Sequence, residues 1–404
     1  MAIYEQITGL SRIAFVGVNS QGKTYALESL SKHRNIKDKC ISVWSEVKPD
    51  ENMKNSADST TLISWINRLI DIQPIKDKLN EIIGSLDFSG INNNLLNISL
   101  VNNLESFKNL ISVNISTSSN TFNRPGSGER FLAQLKIISK ILQENTNNAY
   151  EYLIIDEPER HLHPSLFKYI GEVLKEISNN NIKVIISTHS PIILKYFVND
   201  TNEIFVFENG NATQLPSKDT FVNVTINHNL YTDTNYKFSS YTLIENNKNE
   251  YFNVFILPII YRSVFSKCVL LGEGHIEKEV FELLNDKYIN EEKMMYIHSE
   301  VIFGKCFMPW VIECLHLCNL KVIGLFDTDS NNVKHMNCNQ IIENLSDSII
   351  SFSPEIENRL LLPHTDNSSK VKQNVINLRK NYVNSNPEIE SLLEEIHDLI
   401  ISLV

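Results

Sequence analysis

The sequence predicts an α/β protein built from two parallel sheets in succession. Three observations carry that expectation. An apolar run from Ile13 to Val16 leads through Gly17-x-x-x-x-Gly22-Lys23-Thr24 into a helix-period stretch. Two further apolar runs, one ending in Asp156-Glu157 and the other in Ser187-Thr188-His189-Ser190, bracket an amphipathic segment. From Cys268 the pattern restarts, and a later apolar run ends in Asp327-x-Asp329. Short apolar runs separated by helix-period segments read as buried parallel strands. Polar residues at their C-terminal ends then face the crevice where such sheets hold ligands.

The chain has 404 residues, 42% hydrophobic against 21% charged, which leaves room for two soluble domains. A net charge of -11 excludes a protein that coats nucleic acid through a broad basic surface. It leaves room for a local basic groove, or for metal ions that supply positive charge. Cys40, Cys268, Cys306, Cys314, Cys318 and Cys338 contain no paired CxxC motif with zinc spacing, and they read as reduced residues. The N-terminus lacks a basic region followed by an apolar one, and no apolar run reaches membrane-spanning length. The expectation is a cytoplasmic protein with no membrane partner.

The first motif predicts a phosphate cradle. Gly17 and Gly22 let the backbone wrap so that N–H groups around Asn19 point inward at phosphate oxygens. Lys23 reaches the β and γ phosphates, and Thr24 supplies a hydroxyl to Mg²⁺. The helix that follows points its positive end at the same anion.

From about residue 37 to 123 the chain is rich in Asn, Ser, Ile and Leu, and neither period holds for long. It reads as an insertion of helices and an irregular sheet edge, with one helical stretch broken at Pro74. Ser127, Gly128 and Glu129 then open a strong amphipathic helix. Alone they are an N-cap turn. Their position just before the strand that ends in Asp156-Glu157 makes them a candidate nucleotide contact.

In that order the elements resemble ABC-type ATPases: Walker A at Gly17 to Thr24, a shortened signature Ser127-Gly128-Glu129, and Walker B ending in Asp156 with Glu157 after it. The Glu159-x-x-Leu162-His163-Pro164 turn and a switch His189 follow. The wording EPExxLHP and STHSP is most similar to ATPases of the OLD family and their relatives in Gabija and PARIS phage-defence systems. The resemblance covers roughly residues 1–215, an ATPase domain ending near Pro216. It implies that ATP is bound and that Asp156 holds Mg²⁺. Glu157 would orient or deprotonate the attacking water, and His189 would contact the γ-phosphate region. It also implies homo-oligomers with head-to-tail ATPase dimers, in which Ser127 to Glu129 of one protomer complete the site of another. No Q-loop glutamine is identifiable.

Residues 216–264 read as a connector with at least one helix that packs on the second domain, which spans 265–404. There Glu273 follows the first strand, and Asp327 and Asp329 follow a later one. Hard carboxylate oxygens of this kind favour Mg²⁺ or Mn²⁺ over zinc. With the LLGEGxxE stretch, this constellation resembles the small Rossmann-like TOPRIM domain of OLD-family nucleases, topoisomerases and primases over roughly residues 265–364. The resemblance implies that Glu273 is a general acid/base or metal ligand, that Asp327 and Asp329 bind metal, and that Glu277 fills the second acidic position. FSPEIENRLLL resembles a stretch of PARIS-type effectors, which makes Glu357 a candidate ligand and Glu355 a lesser one. Gly272 stands where that family has valine. Lys267, Lys305 and Lys334 each read as solvated surface residues, so no catalytic lysine is assigned. The tail from Ser368 carries a Leu/Ile stripe at helical period that packs on its own domain or forms an oligomer contact.

The function expected is an ATP-regulated, metal-dependent nuclease of anti-phage defence that cleaves DNA or RNA, tRNA included, and answers to a phage-encoded trigger protein. The alternative is an ATP-dependent sensor or scaffold that binds DNA ends or a phage protein, with the TOPRIM domain as a partner module.

Overall fold

The structure is a computed structural model. It describes residues 2–18, 21–44, 127–143, 150–160, 162–224, 247–302, 304–328, 333–353, 356–360, 362–363 and 368–404. Asn19, Asp329, Glu355 and the helix broken at Pro74 lie outside the described residues. The chain forms two compact units. The first comprises Met1–Val16, Gly22–Asn199 and Glu203–Phe205, and the second Gly17–Gln21, Asp200–Asn202 and Val206–Val404.

In chain order the first part contains α1 (Ala2–Ile7), β1 (Arg12–Val16), α2 (Lys23–Ser31), β2 (Cys40–Val43), α3 (Ser127–Gln143), β3 (Tyr152–Asp156) and α4 (Phe167–Ser178). β4 (Lys183–Ser187), α5 (Pro191–Phe197), β5 (Ile204–Glu208) and β6 (Asn211–Gln214) complete it. The six strands form one sheet in the order β2-β3-β4-β1-β5-β6. Ile13 to Phe15, Leu153 to Ile155 and Val184 to Ile186 are fully buried, which explains why these strands carry near-continuous apolar runs. β1, β3 and β4 run parallel, with Asp156 opposite Ser187 and Ser187 opposite Phe15. The three strands therefore end at one level, and their polar residues emerge at one edge of the sheet.

Helix faces follow the same logic. Leu132, Leu135, Ile138 and Leu142 bury one stripe of α3, and Ile170, Leu174 and Ile177 one stripe of α4. A Cβ at Gly171 would lie 2.8 Å from Tyr196 Cβ, so the glycine lets α4 press against α5. Ser190 caps α5 by accepting the Ile193 N–H at 3.2 Å, and Pro191 takes the first helical position. Residues 40–43 form a regular parallel strand, paired with β3 at one end of the sheet.

The second part contains α6 (Lys218–Asn223), α7 (Lys248–Tyr251), a π turn over Phe252–Ile256, and α8 (Leu257–Ser263). β7 (Cys268–Gly272), α9 (His275–Tyr288), β8 (Ile297–Val301), α10 (Met308–Leu317), β9 (Lys321–Asp327), α11 (Val333–Leu345) and β10 (Ser348–Phe352) follow. α12 (Ile356–Arg359), α13 (Ser368–Val383) and α14 (Pro387–Leu403) close the chain. The four strands pair parallel in the order β10-β9-β7-β8. β10 was not legible as a strand. Trp310 donates its indole N–H to the Phe221 carbonyl at 3.1 Å, which fixes α6 against α10.

The C-terminal stripe packs on its own domain. Ile389, Leu392, Leu393, Ile396 and Ile400 of α14 join one buried cluster with Leu270, Ile323 and Ile350. All six cysteines are free. No helix among the described residues is long and apolar enough to cross a membrane.

Candidate functional site

Two sites lie at C-terminal sheet edges, one on each sheet. At the first, Gly17 and Gly22 adopt left-handed φ values of 124° and 94°. A Cβ at Gly17 would lie 2.5 Å from the Phe207 carbonyl oxygen, so no other residue fits there. Lys23 and Thr24 open α2 immediately after this turn. Thr24 donates its hydroxyl toward Asp156, 3.2 and 3.4 Å from the two carboxylate oxygens. Ser187 donates to Asp156 Oδ1 at 2.6 Å. A hydroxyl after a phosphate-cradle turn and a carboxylate at a neighbouring strand end, held together, are the hard donors Mg²⁺ takes, so these residues fit that ion.

Glu157 sits at φ 48, a left-handed conformation that costs a non-glycine residue about 1–3 kcal/mol. Its N–H is held by Ser187, 3.0 Å from the hydroxyl and 3.1 Å from the carbonyl. The turn aims the Glu157 carboxylate at His189, with Oε1 3.5 Å from Nε2. Burial lowers the Lys23 pKa to about 8, against the opposing pull of Glu157, Asp156 and Glu159. An anion beside Lys23 would raise that pKa again. Burial, helped by the Lys23 ammonium, lowers the His189 pKa to about 4, so the ring is neutral at pH 7. The side chains of Ser127, Gly128 and Glu129 lie outside what the structure describes, although α3 begins at Ser127.

At the second site, Gly272 of β7 stands opposite Val301 and Leu325, and Asp327 opposite Phe352. Glu273 and Asp327 therefore leave the sheet at the same edge. Lys305, in the turn before α10, is only 2% exposed. It donates to the Asp327 carbonyl, and its Nζ is 3.7 Å from Glu273 Oε2. The expectation of a solvated Lys305 is thus corrected, because the turn folds the ammonium inward onto the acids. A lysine after a glycine and before a largely apolar helix carries no burial signal of its own in sequence. Gly304, at φ 146, is the one local hint.

Asp327 accepts the Ile356 N–H at 2.8 Å. Burial raises its pKa to about 7, and Glu273 and Glu357 add to the rise. Glu277 is 3% exposed and accepts the Gly274 N–H at 3.0 Å, which makes it a cap of α9 in this structure. Burial, then Asp327 and Glu273, raises its pKa to about 8. The valine-to-glycine departure at residue 272 has a cause here: a Cβ at Gly272 would lie 2.6 Å from Glu277 Cβ. Among the described residues, no group of three or more His, Cys, Asp or Glu side chains converges closely enough to hold a metal ion. The clustered acids that raise one another's pKa are nevertheless the hard donors that Mg²⁺ or Mn²⁺ takes, so their chemistry fits such an ion.

The buried acid has a stability consequence. Folded Glu277 keeps its proton to about pH 8, whereas the unfolded chain releases it near 4.5. Its contribution is full below 4.5 and is lost as pH rises through 8. Glu277→Gln keeps an acceptor for Gly274 and removes the titration. It is expected to flatten the fall in denaturant stability between about pH 5 and 9, by a few kcal/mol at the alkaline end. An unchanged pH profile would show that Glu277 ionises freely.

Comparison with known proteins adds an independent line. Residues 133–195 match the family model described as AAA domain, putative AbiEii toxin, Type IV TA system. The chain is 28% identical over 204 residues to Old nuclease of Escherichia phage P2, covering 49% of this chain and 31% of that protein. It thus spans about a third of that relative's length. Among solved structures, cbiO1 of Clostridium perfringens, part of the ABC transporter complex cbiONQ, aligns with a TM-score of 0.32 at 15% identity. That alignment covers 58% of this chain and 88% of cbiO1. An ATP-binding subunit of an ABC transporter aligns with a TM-score of 0.26 at 14% identity, covering 52% and 80%. Those scores are too low to carry an argument. The likeness to part of Old nuclease, the AAA match and the P-loop geometry support an ATPase domain.

Proposed function

We propose, from the premise of an OLD-family ATPase, that the chain is an ATP-regulated, metal-dependent nuclease of anti-phage defence. The observation that carries the nuclease half is the meeting of Glu273, Asp327 and buried Lys305, from three separate elements, at one sheet edge.

At the first edge, ATP would lie with its phosphates on the Gly17–Gly22 turn and Lys23. Glu157 would accept a proton from, or orient, the water that attacks the γ-phosphorus. Neutral His189 would donate a hydrogen bond near the same phosphoryl group. Thr24 and Asp156 would hold the Mg²⁺. At the second edge, Glu273, Asp327, Asp329 and Glu357 would hold Mg²⁺ or Mn²⁺, which supplies charge to a phosphodiester and activates water. Lys305 would fix the Asp327 strand end and offset the acids. Attack by water forms one P–O bond and breaks another, leaving a phosphate terminus and a free hydroxyl. Two or more protomers would pair head to tail so that Ser127 to Glu129 reach a neighbour's nucleotide. The substrate is DNA or RNA, and a phage-encoded protein is the trigger.

Glu273→Ala and Asp327→Ala are each expected to abolish cleavage of plasmid, linear DNA or tRNA in Mn²⁺ and ATP while ATP binding persists. Wild-type cutting by either variant removes the nuclease. The second reading is an ATP-dependent scaffold that binds DNA ends or a phage protein, with the acidic second domain as a partner module. Calorimetric titration with Mn²⁺ separates the two, because the nuclease loses binding in Asp329→Ala and the scaffold has none to lose.

A further inference from the structure

We infer that Glu159 is a positioning residue that latches the His189 loop to the turn after β3, and that ATP turnover depends on this latch. The inference rests on the ATPase reading and deepens it.

Glu159 lies three residues past Asp156, on a different connection from His189. One carboxylate oxygen accepts the Thr188 hydroxyl at 2.9 Å, and the other accepts the His189 backbone N–H at 2.5 Å. Thr188 is fully buried and is itself pinned. Its hydroxyl accepts the Ser190 N–H at 3.0 Å, and its N–H donates to the Phe15 carbonyl at 3.1 Å. Without Glu159, the tether on the His189 N–H is gone, while the ring still has to hold its 3.5 Å approach to Glu157.

The choice of an acid at this position is costly. Burial and the neighbouring Glu157 charge both push its pKa up, and the two donated bonds oppose that rise. Both partners present a donor, and only a carboxylate offers an acceptor on each oxygen. Glutamine satisfies one donor fully and turns an NH₂ group toward the other. Among the described residues the Glu159 side chain accepts from Thr188 and His189, not from the P-loop, although its charge is felt at Lys23. Its loss should therefore act on turnover far more than on nucleotide affinity.

The test measures ATP turnover by the full chain and by Glu159→Ala, Glu159→Gln, His189→Ala and the Glu159→Ala/His189→Ala pair. Misplacing a reacting group by about 1 Å costs roughly 10²-fold. Glu159→Ala is expected to lower kcat about 10–100-fold with KM changed less than about threefold, and Glu159→Gln to fall between it and wild type. The pair is expected to be no slower than His189→Ala alone, because both changes remove one function. Multiplicative losses in the pair, wild-type kcat in Glu159→Ala, or an effect confined to KM each overturn the latch. Should Glu159→Ala fail to fold, Thr188→Val cuts one of the two bonds and is expected to show the same non-additivity with His189→Ala. If wild type turns over no ATP, the ATPase reading has failed, and the latch is read instead from histidine-labelled NMR. The His189 signal, assigned by its loss in His189→Ala, is expected to move in Glu159→Ala, and an unmoved signal overturns the latch.

Discussion

Glu157→Gln is expected to lower ATP turnover about 10²–10⁴-fold while leaving nucleotide binding near wild type. The magnitude follows from the position of the carboxylate. It is the acid at the end of β3 that does not receive the Thr24 and Ser187 hydroxyls, since both of those go to Asp156. It faces His189, neutral because burial and Lys23 hold the ring's pKa to about 4. A neutral imidazole with a pKa of about 4 carries no charge to offset the lost carboxylate. Glutamine keeps the shape and the backbone turn and loses only the basic oxygen. Phosphate release measured beside calorimetric ATP binding separates the two effects. Turnover within a factor of two of wild type would show that another group activates the water.

Lys305→Met is expected to destabilise the second unit by about 3–5 kcal/mol, because breaking a buried pair leaves a charge without its partner. The ammonium is 2% exposed, bonded to the Asp327 carbonyl and 3.7 Å from Glu273 Oε2. Methionine fills the volume of the stem, so the loss reports the charge and not a cavity. With Lys305 gone, the mutual repulsion of Glu273, Asp327 and Glu357 is no longer offset, and the acids should take up protons. Glu273→Gln in the same chain removes one of those charges and is expected to restore part of the stability. Urea denaturation of the single and double variants measures both quantities. A double variant as unstable as the single one, or a single variant as stable as wild type, would mean that the charge matters little.

The parts legible in sequence were those in which chemistry and local structure share one short segment. Gly17 to Thr24 is readable because the glycines, the lysine and the hydroxyl all lie on one turn. Asp156, Ser187 and the strands beneath them are readable because buried parallel strands are apolar throughout. The likeness to OLD-family ATPases followed from those segments. What was not legible depended on contacts between distant segments. Lys305 looked like a surface residue because nothing beside it in the chain announces that its turn folds inward. Glu277 reads as a metal-site acid through the TOPRIM resemblance alone, and its capping bond to Gly274 appears only once α9 is placed. β10 hid because its SIISF stretch mixes polar and apolar residues and is half-buried in part. β2 hid because CISV borders a long stretch without periodicity.

The left-handed backbone at Glu157 sets two demands on one side chain against each other. Glycine or asparagine would occupy that φ with less strain, yet neither carries a carboxylate of the same reach. Selection for heat resistance alone would therefore drift away from glutamate at this turn, and the glutamate persists only where catalytic work outweighs the loss of robustness.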